Sequence, residues 1–327
     1  MNHLRAAIVL VSLAASTAFA AVDPGLLTLV PPDAKAMVGV QVAATTSSVF
    51  GQYLFSQIPN DPNISKVTTA IGFDPRRDIQ ELLVTAGDGS SFLILGRGHY
   101  QPDKMATAAK LAGAVPSNYR GFEILSGGVN AKVNVGDRPG SLVFLDNSII
   151  AMGDTVSIKA LIDRRAGNSV FSGPLAERAK QISATNDIWF ASLNPSLGIL
   201  GGAGAANGQA NSAQNPLQNP VQTFLQAAVQ ASGGIKFSAT AVTVNAEVLA
   251  KTPQDAQSMI DVLRFGASMI QMNRKQGGAA SNAASLLDAA TFAASGSVAK
   301  VSVALPEQQM EQLFMQTRAG SKVATRQ

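Results

Sequence analysis

Cysteine is absent from all 327 residues. That excludes disulfides, thiolate catalysis, iron–sulfur clusters and every zinc site built on thiolates. Charge is scarce as well: Asp, Glu, Lys and Arg make up 14% of the chain, where ~25% is usual. The formal net charge is only +4, and the basic residues are scattered. Nucleic-acid binding needs Lys and Arg concentrated on one face, so no nucleic-acid partner is expected. Histidine is scarcer still, His3 and His99 being the two copies. A His-Glu-x-x-His zinc motif, a Walker A loop, a dinucleotide fingerprint and a spaced-carboxylate calcium loop are all missing. The sequence therefore implies no cofactor and no metal, and it assigns no catalytic residue.

What is present starts at the N-terminus. Met1-Asn-His-Leu-Arg5 is a short positive segment, Ala6 to Ala15 is apolar, and Ser16-Thr-Ala-Phe-Ala20 ends in small residues. These are the three parts of a secretory signal peptide. Ala18 and Ala20 occupy the −3 and −1 positions, so cleavage after Ala20 is expected to leave Ala21 as the new N-terminus. An uncleaved anchor fits less well. The apolar run from Ala6 to Val22 covers 17 residues, more than half of them Ala, Ser or Thr, whereas a spanning helix wants ~20 strongly apolar residues. Without Cys there is no thiol for a lipid anchor. Losing Arg5 takes the formal charge from +4 to +3. The expected location is periplasmic or extracellular, with no membrane span after cleavage.

The chain is 46% apolar and long enough to bury a core without disulfides. It reads as two units of similar plan, residues 21–171 and 172–317, with a frayed tail at 318–327. The first unit opens with a β-rich run, Ala36–Val42, and a helical stretch through Phe50, Tyr53, Leu54 and Phe55. Two β-runs follow, Glu81–Ala86 and Ser91–Leu95, joined by Gly87-Asp-Gly-Ser90, a hairpin signal. A helix from Gln101-Pro-Asp103 runs to about Leu111 and stops at Gly113. Further β-runs lie at Gly121–Leu125, Ser141–Leu145 and Ser148–Met152. The second unit opens with Asp187–Leu193. A helix is predicted over Val221–Ala231, then a hairpin of Ile235–Thr240 with Thr243–Leu249. Thr252 is set to cap a long helix with Pro253 in its first turn, and Ala256, Met259, Ile260, Leu263, Ala267 and Ile270 form its inward stripe. An Ala-rich helix is predicted over Asn282–Ala294, before a β-run at Val298–Ala304. Strands that arrive in pairs predict an α+β fold. The two pseudo-repeated units would each be antiparallel sheet with helices packed on one face, able to share a continuous sheet. The segment 201–216 has a flexible-loop composition, and Gln276–Ala280 joins two helices.

Three residues are weak binding candidates: Arg76, Arg77 and His99. Asp74-Pro-Arg-Arg-Asp78 sets two guanidinium groups between two carboxylates, a pattern that can hold an anion. The same residues also suit a tight turn, with Asp78 capping the next element. His99 could act as a general base, although a surface loop position explains it more simply. Asp163-Arg-Arg165 closes a helix with core residues Val156, Ala160 and Leu161, where cations are favourable anyway. Trp189, the single Trp, is predicted inside a strand and in the core.

The Val30-Pro-Pro-Asp33 start and the Ile71-Gly-Phe-Asp-Pro-Arg-Arg-Asp-Ile79 turn before a β-hairpin resemble uncharacterised exported bacterial proteins of a duplicated "domain of unknown function" type. The resemblance covers residues 30 to 165 and implies an envelope location, with no site residues to transfer. The expected function is that of an exported, non-enzymatic binding or envelope-associated protein whose partner is a protein, a peptide or a lipid. The alternatives are a hydrolase-like periplasmic enzyme using His99 or a carboxylate pair, and a structural or assembly factor of the envelope.

Overall fold

The computed structural model describes residues 21–56, 72–87, 92–127, 140–167, 170–193, 226–238, 240–274 and 278–312. The expected signal segment, residues 88–90 of the hairpin turn, the 201–216 loop and the tail lie outside the described residues. The elements begin with α1 (Pro24–Thr28), β1 (Ala34–Gln41), α2 (Val42–Ser47), α3 (Val49–Ser56), α4 (Pro75–Asp78), β2 (Ile79–Gly87), β3 (Phe92–Gly98) and α5 (Pro102–Leu111). Then come β4 (Ala114–Tyr119), β5 (Phe122–Gly127), β6 (Gly140–Phe144), β7 (Ile149–Asp154) and α6 (Thr155–Ala166). The later part of the chain holds α7 (Pro174–Ser183), β8 (Ile188–Ser192), β9 (Ala228–Phe237), β10 (Val242–Ala250), α8 (Pro253–Met272), α9 (Gly278–Asp288), β11 (Ala290–Ser295) and β12 (Val298–Leu305).

These strands form one twelve-stranded sheet in the order β11-β12-β10-β9-β8-β1-β2-β3-β7-β6-β5-β4. Its neighbours pair antiparallel throughout. The α+β class and the shared sheet are as the strand pairs implied. β1 to β7 make one block, β8 to β12 the other, and the blocks meet where β1 pairs with β8. At that junction Gly39 lies opposite Trp189. A Cβ on Gly39 would stand 2.2 Å from the indole, so only glycine lets the fully buried ring lie across β1.

Helices occupy both faces of the sheet, whereas the sequence pattern placed them on one. On the first face Met37, Leu83, Leu93, Leu95 and Ala151 pack with residues of α1, α6 and α7 in the largest core cluster. The alternate residues of the strands are apolar too and need their own cover. Phe190 and Val248 receive Ala256, Met259 and Ile260 of α8, and Phe237 and Val242 receive Phe50 of α3. At the far end Leu125 and Leu142 receive Ala106 and Ala109 of α5.

Three local expectations are corrected. Ala228–Ala231 is strand and not helix, because pairing with β10, and with β8 at Ala231, outweighs the helical preference of Ala and Gln; residues 221–225 lie outside the described set. The Ala-rich helix ends at Asp288, and Ala290–Ser295 pairs with β12 as an edge strand. In α6 the buried residues are Ile158, Leu161 and Ile162, while Val156 and Ala160 are exposed. Asp154 caps that helix by accepting from the Val156 and Ser157 backbone N–H groups at 3.0 and 3.1 Å, which fixes the register and turns Val156 outward.

Candidate functional site

The fold brings two of the three candidate residues into one cleft. Asp74 caps α4 by accepting from the Arg76 N–H at 3.0 Å, and Asp78 accepts from the Asp74 N–H at 2.8 Å. The Asp-Pro turn anticipated from sequence is therefore a closed loop of hydrogen bonds. Arg77 clamps Asp78 with two bonds, Nε to Oδ1 at 2.7 Å and a terminal nitrogen to Oδ2 at 2.9 Å. Those bonds hold the Asp78 carboxyl below its ordinary range and raise Arg77 further. The His99 N–H donates to the Asp78 carbonyl at 2.7 Å, and a cleft of about 130 Å³ opens between Phe73, Arg77, His99 and Tyr100. Arg76 is exposed and does not line it.

The contents of the cleft decide what it can do. The Arg77 guanidinium spends its bidentate face on Asp78 and donates once more to the Gly72 carbonyl at 3.2 Å. The His99 ring meets the Gln80 side-chain amide at 3.1 Å through Nε2, and neither a hydroxyl nor a carboxylate is its partner there. A nucleophile beside a base that a third group orients is not assembled at this His among the described residues. Tyr100 lies buried against Gly96, and its hydroxyl has no hydrogen-bond partner among the described residues. Desolvation raises its pKa well above the usual phenol value.

A carboxylate pair does form, elsewhere. Beneath α1 the backbone N–H of Asp23 donates to Glu81 at 3.2 and 3.3 Å, and Arg97 pairs with the Asp23 carboxylate at 2.8 Å. Glu81 is 4% exposed. Burial pushes its carboxyl up to about 7, against the pull of the Asp23 N–H. Such a poised acid is the signature of a catalytic site when it faces a cleft. Here it faces the underside of α1, and it ties the chain at Asp23 to the sheet. A second buried carboxylate, Asp187, accepts from the Phe237 N–H and from Lys236, both at 2.8 Å. Glu247 bridges Arg178 and Lys300 across the sheet. Burial opposes its charge, but the bonds from Lys300 and Arg178 prevail and hold the carboxyl low. Each of these groups is satisfied by residues that fix strands and helices. Among the described residues no three His, Asp or Glu side chains gather as a metal ligand set.

The most unusual surface is on α8. Thr252 accepts from the Asp255 N–H at 3.1 Å and Pro253 opens the helix, as the sequence implied. Ala256, Met259, Ile260 and Ala267 turn inward, but Ile270 is 38% exposed. A second apolar line runs along the outside: Val262 46% exposed, Phe265 63%, Met269 46% and Met272 83%. The inward stripe is the stronger periodic signal and hides the outward one. The trace of the latter in the sequence is a second set of apolar residues at spacings of three, four and three.

The fold has solved counterparts. Crystal form III of TP0453 superposes with a TM-score of 0.53 at 9% identity, covering 90% of this chain and 98% of that one. Form I gives 0.50 at 9% identity over 90% and 96%, and form IV gives 0.52 at 9% over 89% and 96%. At that identity the likeness establishes the fold and nothing about activity. No family model matches the chain, and no curated protein matches it. No helix among the described residues is long and apolar enough to cross a membrane.

Proposed function

We propose that the chain is an exported, non-catalytic binding protein of the cell envelope that engages a macromolecular partner through the outward face of α8. The single observation that carries this reading is the line of Val262, Phe265, Met269 and Met272 in solvent. Large apolar side chains scattered singly need no explanation, but a contiguous line of them marks an interaction surface. Export rests on the three-part N-terminus and the Ala18–Ala20 pair. The position of Val22 supports removal at Ala20. Its buried N–H donates to Ser183 at 2.9 Å, which leaves one exposed residue, Ala21, between the cut and the core.

Two measurements test the reading. N-terminal sequencing of the exported product should begin at Ala21; an intact Met1 on the envelope-located protein would overturn cleavage. Envelope fractionation should find the wild-type chain partly in complex, and a Phe265→Asp, Met269→Asp double variant free. Equal distribution of both would remove the role assigned to α8.

A further inference from the structure

We infer that the partner on the outward face of α8 is a second copy of this chain, the two helices packing antiparallel about a two-fold axis at the level of position 267. The inference rests on the reading of that face as a docking surface and names its occupant.

The spacing of the outward residues favours a second copy. Val262, Phe265, Met269 and Met272 are separated by three, four and three residues, which is the a/d alternation of a two-helix seam. The same spacing is symmetric about its own centre. When one helix is reversed on the other, Phe265 falls opposite Met269 of the second copy, and Val262 opposite Met272. Each central pair then sets an aromatic ring against a thioether, a favourable contact. A two-fold interface requires such self-complementarity, since residue i must meet j while j meets i. An unrelated partner would place no such demand on the spacing.

The flanks permit the approach. Gly266 and Ser268 bracket the centre, and a Cβ built at Gly266 meets nothing within 4 Å. Helix axes can therefore come within the usual 8–10 Å. No charge lies in the seam. Asp261 and Arg264, at its rim, are engaged at home: Asp261 accepts from Gln257 at 2.9 Å, and Arg264 donates to the Phe292 carbonyl at 2.8 Å. Pairing leaves neither of them unsatisfied. Scaled by their exposures, the four residues offer at most roughly 450 Å² a copy, about 900 Å² for the pair before the polar rim is added, which is the size of a weak, transient interface. The expected product is a reversible dimer.

A lipid surface fits this face less well. Interfacial helices carry a wide apolar face edged with Lys and Arg. The polar flank of the line on α8 carries Gln257, Asp261, Arg264 and Ser268, with a single cation that is already bonded to backbone.

Sedimentation equilibrium of the processed chain from about 1 to about 500 μM, the range in which small interfaces dissociate, should show a monomer–dimer equilibrium. Phe265→Asp, and independently Met269→Asp, should raise the dissociation constant at least about tenfold. Val156→Asp, at a valine of α6 that is 68% exposed, should leave it unchanged. Circular dichroism confirms that each variant is folded. Because the chain has no cysteine, the register can be read directly: mixed F265C and M269C chains should form the mixed disulfide several-fold faster than either forms its own. Preferred 265–265 or 269–269 bonds would overturn the antiparallel register, and a dimer that Phe265→Asp leaves intact would overturn the interface. A wild-type chain that stays monomeric but floats with vesicles of equal phosphatidylcholine and phosphatidylglycerol, while Phe265→Asp does not, overturns the second copy and keeps the docking face. A monomer that binds neither overturns both.

Discussion

Helix α6 turns Ile158, Leu161 and Ile162 into the sheet. Helix α8 turns Ala256 and Ala267 in, with Met259 and Ile260, and leaves Phe265 and Met272 outside. The cores beneath them differ in the same way. The cluster shared by α1, α6 and α7 is rich in Leu, Ile and Val, with Trp189 at the junction of the blocks. The cluster under α8 has Ala228, Ala231, Ala250, Ala256 and Ala299 among its buried residues. Small residues let α8 lie close to β10 and β12, but they bury little apolar surface for each residue ordered. The core under α6 is filled by large aliphatic side chains, whereas α8 rests on small ones and leaves a line of large ones in solvent.

The sharpest test of that contrast is a pair of truncations. Trp189→Ala removes the largest side chain of the junction and should cost about 3–5 kcal/mol in urea unfolding followed by circular dichroism. Ile260→Ala, its counterpart under α8, should cost about 2–3 kcal/mol, the low part of the range for a buried Ile. Equal costs would mean that the two cores are equally strong, and the contrast would fail.

Glu81 is the next largest effect and belongs to the first block alone. Its folded pKa, about 7, stands above its ordinary value of 4.5. A raised acid favours the fold while protonated, so its contribution is fully present below pH 4.5 and is lost as pH rises through 7. The loss amounts to about 3 kcal/mol. Glu81→Gln keeps an acceptor for the Asp23 N–H and removes the titration. The variant should be the more stable form at about pH 8, and the two should converge towards pH 4.5 in thermal melts. A difference that does not vary with pH would refute burial as the cause.

Much of this architecture could be read from the chain. The strand pairs, the Thr252 cap, the Gly113 stop and the core position of Trp189 are local or periodic signals, and each appears where expected. The failures share a cause. Ala228–Ala231 and Ala290–Ala294 are rich in Ala, which favours helix, and their neighbours across the sheet hold them as strands. Helices on the second face left a trace in the sequence, since Leu82-Leu83-Val84 and Phe92-Leu93-Ile94-Leu95 are apolar at successive positions and so on both faces. At the candidate site the Asp-Pro turn was legible and the clamp of Arg77 on Asp78 is local, but the Gln80 contact of His99 needed β2 and β3 to be brought together. The knot of Asp23, Glu81 and Arg97 joins residues 58 and 74 apart, beyond any spacing rule.

A smaller effect probes α8 by itself. Thr252→Ala removes the bond to the Asp255 N–H and should cost about 1 kcal/mol. Hydrogen exchange should quicken in the first turn of α8 and leave α6 and α7 unchanged, because those two helices pack in a cluster separate from the one under α8.

The smallest expected change says most about the outward seam. Phe265 is a large aromatic, and replacing a buried Phe would cost about 3–5 kcal/mol. At 63% exposure it has little to lose on the folded chain, and a surface substitution usually stays within about 0.5 kcal/mol. Phe265→Ser should therefore leave the unfolding free energy unchanged when measured at low concentration, where the chain is monomeric. At high concentration the wild-type chain gains stability by mass action from any association of the folded state, and the variant does not. The two curves should thus coincide when dilute and separate when concentrated. A cost of about 2 kcal/mol or more in the dilute chain, the size expected of a core residue, would place Phe265 in the interior of α8's own packing and erase the distinction between its two faces.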